Sequence, residues 1–487
     1  MAVLRDSRAG WLLLAVLTGL PVSTVYAADI VEDQVSAPEQ SIEPTLTLDA
    51  VLLSSRRHAP QILEAIARVR QAEARLVTAE GAFDTVVAAE GSARLSGFYD
   101  GSSAAATITR PLENWGGSLY GGYRVSGGRF PIYEDKSFTN VLGELKVGAV
   151  FALMRDRFID DRRFNRGNAA IDIDVAEAEN LMTAISVQRR AIAAYNLWVG
   201  AGLRLGIYRE LLALAKERQQ GFVKQVAAGA RARILLTENE QNILRRETLV
   251  ARSEQELANA ANTLSLFWRD AAGAPRKPLN SQLPSNFPLF NQVTAAARQA
   301  LAFRPDLKTI ELRLNQATYR LALDRNSLRP RLDVNVEVSN DFGPVGVGGP
   351  SRSGTESIVG LKFSVPLQQR AATGRIAQTN AEIDAIKRRR QLTEEQIIAE
   401  LDGIAIDVGA TNRLSLLAEQ EQARAREMAE AERRRFMAGA SDFFLVNLRE
   451  EAAADAAVRQ LDAEFRNIVA NAELAAAAVD LKSLRLD

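Results

Sequence analysis

One histidine, His58, the adjacent carboxylates Asp160 with Asp161 and Glu394 with Glu395, a basic run "KRRR" at 387 to 390, and two glycine runs, "GGSLYGG" and "GPVGVGG", are among the places in this 487-residue chain where chemistry could reside. A single imidazole cannot supply a multi-histidine metal site. The chain has no cysteine, which removes disulfides, thiolate zinc sites, cysteine nucleophiles and an acylated N-terminal cysteine. Neither glycine run opens a helix after a buried strand, so neither is a phosphate loop or a dinucleotide fingerprint. The paired acids fall on predicted helix as solvated face residues, "KRRR" spreads around a helix, and His58, beside Ala59 and Pro60, is an exposed or capping residue. These residues call for no catalysis, no cofactor and no metal, and they hold no soft-metal relay.

The charges balance, 60 basic against 60 acidic, which removes a global electrostatic argument for nucleic acid or an anionic membrane surface. The first residues carry Arg5 and Arg8, an apolar stretch from Trp11 to Leu20, a break at Pro21 and small residues near Ala27. That is the pattern of a secretory signal peptide over 1 to 27, cleaved after Ala27 or Ala28. Residues 28 to 45 are polar and acidic with two prolines, and read as a mobile leader.

Proline marks where long helices cannot run. None occurs between Pro131 and Pro275 or after Pro366. In the first of these stretches Ile171, Ala178, Ile185, Ile192 and Val199 recur every seven residues, with Val175 and Met182 between them. In the second, Ile383, Ile386, Ile397, Leu401, Ile404 and Val408 keep the same three-and-four spacing, a narrow coiled-coil seam. The pattern predicts helices at 46 to 82, 157 to 228, 233 to 270, 292 to 328, 370 to 438 and 441 to 484. At about 1.5 Å per residue the two long ones reach roughly 100 Å and the others roughly 55 to 65 Å, so two short helices end to end match one long helix. Beyond the signal, no run approaches the roughly 20 apolar residues of a membrane helix.

The chain is also a tandem repeat. "HAPQILEAIARVRQAEARL" matches "FRPDLKTIELRLNQATYRL", with Pro60 against Pro305, and "AAGARARILL" matches "MAGASDFFLV", with Gly229 against Gly439. The first copy covers 46 to 270 as short helix, strands at about 83 to 155, long helix, turn at 229 and short helix. A proline-rich linker covers 271 to 291. The second copy covers 292 to 487, with strands at about 330 to 367 and a turn at 439.

"RLDVNVEV", 331 to 338, alternates: Leu332, Val334, Val336 and Val338 on one face, Arg331, Asp333, Asn335 and Glu337 on the other. Val359, Leu361, Phe363 and Val365 share a face, as do Val87, Ala89, Ala93 and Leu95, and Leu145, Val147, Ala149 and Phe151. One apolar and one charged face suits a half-buried soluble sheet or a membrane barrel with a wet lumen. The barrel is preferred, because the helices spend their seams on each other and leave nothing to cover the sheet. Four to six strands cannot close a barrel alone, since the smallest have about eight. Several chains must therefore contribute.

On the repeat, the order of short helix, strands and long helix, the strand-to-helix junctions "VFALMRDRFID" and "FSVPLQQRAATGRI" and the two "AGA" turns, the mature chain resembles the TolC family of outer-membrane efflux proteins. The resemblance implies a mainly α fold with a membrane β-barrel: long coiled-coil hairpins forming a periplasmic α-barrel, and strands contributed to a shared trimeric β-barrel. It implies a homotrimer in the outer membrane of a Gram-negative bacterium, in contact with lipid, with a large periplasmic portion, acting as a passive exit duct. Its partners would be a periplasmic adaptor (membrane fusion) protein and an inner-membrane transporter, in tripartite efflux or type I secretion. Gly229, Ala230, Gly439, Ala440 and Ser441 become the candidate docking residues at the periplasmic tips. Where the family often carries acidic gate residues, this chain has Leu445 and Leu448, or Leu235 and Glu238, so Glu238, Asp442, Leu445 and Leu448 are the gate candidates. The aromatic-rich segment 97 to 140, with Trp115, Tyr120, Tyr123, Phe130 and Tyr133, either adds a barrel hairpin or extends the outer mouth, and its aromatics either meet lipid headgroups or pack an external loop. The rival reading is a periplasmic coiled-coil adaptor or scaffold with no barrel.

Overall fold

A computed structural model describes residues 45–288, 301–347 and 354–487. The signal peptide, all but the last residue of the leader, the end of the linker and the first residues of the helix expected from 292 lie outside the described residues. The single helix expected over 46 to 82 is two, α1 (Leu48–His58) and α2 (Pro60–Glu80). The break follows from Pro60, which pushes the preceding residue out of the helical region: Ala59 is extended, at φ −65 and ψ 123. Pro305 does the same in the second repeat, where Arg304 is extended at φ −68 and ψ 119 and the next helix begins at the proline itself.

After α2 come four strands, β1 (Val86–Ala93), β2 (Ser102–Pro111), β3 (Gly117–Gly127) and β4 (Glu144–Ala152). The long helix α3 (Asp161–Ala227) and its return α4 (Ile234–Leu264) complete the first repeat. The second repeat runs α5 (Pro305–Asn326), β5 (Arg331–Asp341), β6 (Thr355–Ser364), α6 (Arg370–Met437) and α7 (Phe443–Ala477). At 67 and 68 residues, α3 and α6 are each about 100 Å long. Both α5 and α7 pack between α3 and α6, while α2 and α4 pack on α3. These four short helices thus stand alongside α3, and two of them alongside α6.

Several boundaries depart from expectation: α4 ends at Leu264 and not at 270, and α5 begins at Pro305. Helix α3 begins at Asp161, because Asp160 is its N-cap, accepting from the Arg163 amide at 2.9 Å and pairing with the Arg163 guanidinium at 2.8 Å. Asp160 is therefore a cap and not a face residue. Leu95 lies beyond the end of β1, fully in solvent. Helix α7 stops at Ala477, and the tail turns back through Val479 at φ 57 to bury Leu484 completely.

The main core forms where α1, the middle of α3, the end of α4, the end of α7, the linker and the tail meet, around Trp198, Tyr195, Ile192, Val199, Leu52 and Leu264. The heptad seam of α3 is buried from Ala178 to Val199, whereas Met182, counted in the same seam, is 41% exposed. The linker is part of this core: a Cβ on Gly202 would lie 2.6 Å from Leu283, so glycine inside α3 admits the linker's leucine. Ser55 donates to Gln188 Oε1 at 2.7 Å and Gln188 Nε2 donates to Leu52 O at 3.0 Å, satisfying the polar groups enclosed there.

Tyr195 donates to Leu46 O at 2.7 Å, and burial pushes its phenol up to about 12 from 10.0. The folded chain then keeps a proton that the unfolded chain releases, so this stabilisation is full below pH 10 and is lost as pH rises toward 12. Tyr195→Phe is expected to lose about 1 kcal/mol at neutral pH. Its melting temperature should also fall less steeply between pH 10 and 12 than that of the parent. An unchanged alkaline slope would assign the loss to another group.

Candidate functional site: the exposed sheet and the helical tips

The six strands form one antiparallel sheet in the order β1-β2-β3-β4-β5-β6. The segment 97 to 140 supplies β2 and β3, and so adds a hairpin to the sheet. Register places Val87, Ile108, Leu119, Val147, Val336 and Val359 across one face. That face is bare: Val359 and Leu361 are each 72% exposed, Val87 68% and Phe363 63%. The other face carries Glu90, Arg124, Glu144, Lys146, Asp333, Glu337, Glu356 and Lys362. On it Arg124 donates to Glu144 at 2.6 Å, and Tyr120 donates to Glu337 at 2.6 Å while covering Gly148. Apolar on one side and ionic on the other, the sheet matches the strand alternation of a water-filled membrane barrel.

The aromatics of this segment lie in several different places. Trp115 is exposed in the β2–β3 turn at the helical end of the sheet, whereas Phe130 packs against Tyr99 and Phe138, with centroids at 6.1 and 6.3 Å, among the loops at the far end. Tyr120 belongs to the ionic face, and Tyr123 donates to Leu142 O. The side chain of Tyr133 lies outside the described residues. Buried Arg163 donates to the carbonyls of Asp156 at 2.5 Å, Arg157 at 2.8 Å and Asn114 at 3.3 Å, tying the β2–β3 turn to the start of α3.

At the opposite end, both long helices stop in the same way. The Gly229 amide donates to Val226 O at 3.0 Å and that of Ala230 to Gln225 O at 2.9 Å, and the Gly439 amide donates to Phe436 O at 3.0 Å and that of Ala440 to Arg435 O at 2.8 Å. These are Schellman stops, and each glycine is left-handed, at φ 71 and φ 75. A Cβ at either would meet nothing within 4 Å, so the backbone angle, not space, selects glycine. Ser441 follows the second stop, and Asp442 then caps α7, accepting from the Leu445 amide at 2.7 Å. Leu445 is half-buried, while Leu448 and Glu238 are exposed. The two hairpins meet through Phe222, whose ring stands nearly perpendicular to those of Phe443 at 5.1 Å and Phe436 at 6.4 Å.

Just behind the tips lies an ion cluster that the sequence reading missed. Glu450 on α7 is fully buried, accepting from Arg218 of α3 at 2.5 Å and Arg246 of α4 at 3.3 Å, with Arg433 of α6 at 3.5 Å. Arg218 also donates to Asn447 at 2.8 Å, and Arg246 to Leu211 O at 2.6 Å. Burial lowers the Arg246 pKa from its ordinary value, with Glu450 opposing that shift and Arg218 adding to it. One carboxylate thus joins four helices.

Among the described residues no three histidine or acidic side chains converge as a metal site, and no helix is long and apolar enough to cross a membrane. No protein-family model matches the chain, and no curated protein matches it by sequence. Solved structures do. The Neisseria gonorrhoeae MtrE outer membrane channel in its open state aligns over 88% of each chain at 14% identity, with a TM-score of 0.65. The Campylobacter jejuni CmeC outer membrane channel aligns over 94% of each chain at 14% identity and 0.61, and the Vibrio cholerae outer membrane protein VceC over 88% of this chain and 95% of its own at 14% and 0.61. The chain has the fold of these proteins, with a long helical part and an antiparallel sheet.

Removing the counter-charge of a buried cluster costs about 3 to 5 kcal/mol. Glu450→Gln is therefore expected to speed amide exchange in α4 and α7 beside the tips by roughly two to four orders of magnitude. Glu451→Gln breaks a pair with exposed Arg245, worth about 0 to 1 kcal/mol, and touches the cluster only through a weaker charge effect on Arg246, so it should change exchange far less. Equal effects from the two variants would remove the special role given to Glu450.

Proposed function

We propose that this chain is the outer-membrane exit duct of a Gram-negative export assembly, a homotrimer whose strands close one barrel and whose hairpins line one passage through the periplasm. The observation that carries this reading is the sheet, with one apolar face bare and both edges, β1 and β6, unpaired among the described residues. Lipid is the solvent that such a face needs. The order of six antiparallel strands gives β1 and β6 opposite directions, so the β6 edge of one copy can pair antiparallel with β1 of the next. Three copies make eighteen strands, in the range of roughly 16 to 18 at which barrels enclose an aqueous channel. The same bare face counts against a periplasmic scaffold without a barrel.

A passive duct takes its energy from elsewhere. The reading therefore includes an inner-membrane transporter and a periplasmic adaptor that meets the tips at Gly229, Ala230, Gly439, Ala440 and Ser441. It serves tripartite efflux or type I secretion, which share this architecture. The reading also includes a constriction near these tips, with Glu238, Asp442, Leu445 and Leu448 as its candidate residues.

After cell fractionation the mature protein is expected in washed outer membrane and to remain there through high salt and alkaline carbonate; release into the soluble periplasm would favour the scaffold. Gly439→Phe places its side chain in open space, at about 1 to 2 kcal/mol of backbone strain. Trimers should still assemble, and export should fall about tenfold, the 1.4 kcal/mol that such a change in adaptor affinity represents. Normal assembly with undiminished export would remove the docking role.

A further inference from the structure

The two tips stop their descending helices identically but start the returning ones in opposite ways. In the second, Ser441 and Asp442 follow the glycine turn and Asp442 caps α7. In the first, the matching stretch is Arg231, Ala232 and Arg233, and α4 begins with no side-chain cap at all. Cations at a helix N-terminus oppose the partial positive charge of that end. Lys224 and Arg434, in the last turns of α3 and α6, sit where the helix end favours them, but Arg231 and Arg233 have no such local reason.

All four of these cations are exposed, and no carboxylate pairs with any of them among the described residues. From 222 to 236 the first tip contains Lys224, Arg231 and Arg233 and no acid. From 433 to 446 the second contains Arg433, Arg434, Arg435 and only Asp442 as an acid. Arg433 reaches Glu450 and Arg435 pairs with Glu432, while Asp442 is occupied by the α7 amide. The unpaired charge at the end of the hairpins is therefore positive on balance, with Asp442 at the cap of α7 and Glu238 farther along α4 as the acids set against it.

We propose that the tips form a basic ring at the entrance of the duct that recruits anionic solutes, with Arg231 and Arg233 as its principal residues and Lys224 and Arg434 in support. This rests on the trimeric duct reading, in which three copies bring their tips to one rim. Cation rings favour anions in pores. Their reach is about 10 Å at 0.1 M salt and about 3 Å at 1 M, so the preference belongs to low ionic strength.

The experiment is the reversal potential of purified trimers in planar bilayers under a tenfold KCl gradient, at low and at high mean salt. The variant Lys224→Gln, Arg231→Gln, Arg233→Gln, Arg434→Gln is expected to lower the chloride-to-potassium permeability ratio at least threefold at low salt, with the difference shrinking at high salt. Arg231→Lys, Arg233→Lys should keep the parent ratio. A conducting fourfold variant with an unchanged ratio overturns the proposal while leaving the duct intact, and assigns the cations to an acidic partner surface. A parent chain that forms no conducting trimer removes the duct reading and the ring together.

Discussion

The ladder between β4 and β5 turns two repeats into one body. Nine residues of β4 pair with β5, from Glu144 against Asp341 to Ala152 against Asp333, and this is the only strand pairing between the repeats among the described residues. Helix α3 departs from the end of β4 and α5 arrives at the start of β5, so the same register sets α3 beside α5. Arg163, Asn326 and Asp156 reinforce that corner: Asn326 Nδ2 donates to Asp156 Oδ1 and to Ile159 O, both at 3.0 Å. A slip of one residue would turn every apolar side chain of β5 toward the charged face, so the alternation protects the alignment of helices about 100 Å long.

The far end depends on different physics. There the helices are separated from the sheet by most of their length, and the hairpins hold each other through Phe222, Phe436 and Phe443 and through the arginines around Glu450. Apolar contact tolerates sliding. A buried carboxylate facing Arg218 and Arg246 does not, because any shift that separates them leaves charge without a partner in a dry setting. Position along the long helices is thus set by aromatic packing and then fixed by charge.

Much of this was legible in the sequence, for reasons that differ by element. The seam from Ala178 to Val199 and the stops at Gly229 and Gly439 repeat through many residues or twice in the chain, so chance matches are few. Strand β2 was not legible: "SSAAATITRP" is half alanine and serine, residues with little preference for strand, and barrel strands carry a weak signal each. The break at Ala59 was visible in Pro60 but was overridden by the continuous helical pattern around it. Glu450 and Glu451 are adjacent and chemically identical, and only the packing of four helices buries one and leaves the other at the surface. The tail after Ala477 keeps leucines at helical spacing, yet Leu484 finds its place in the core by leaving the helix.

The open edges of the sheet bear on how such a protein comes to exist. Strands with free amides and carbonyls cannot enter hydrocarbon, since each unpaired group costs several kcal/mol there. A single chain has two such edges, and a pair of chains joined at one seam still has two. In the proposed trimer only the third copy removes them. In the proposed duct, association must then be complete before or as the sheet enters lipid, and each chain has to keep its apolar face from wrong partners until the ring closes.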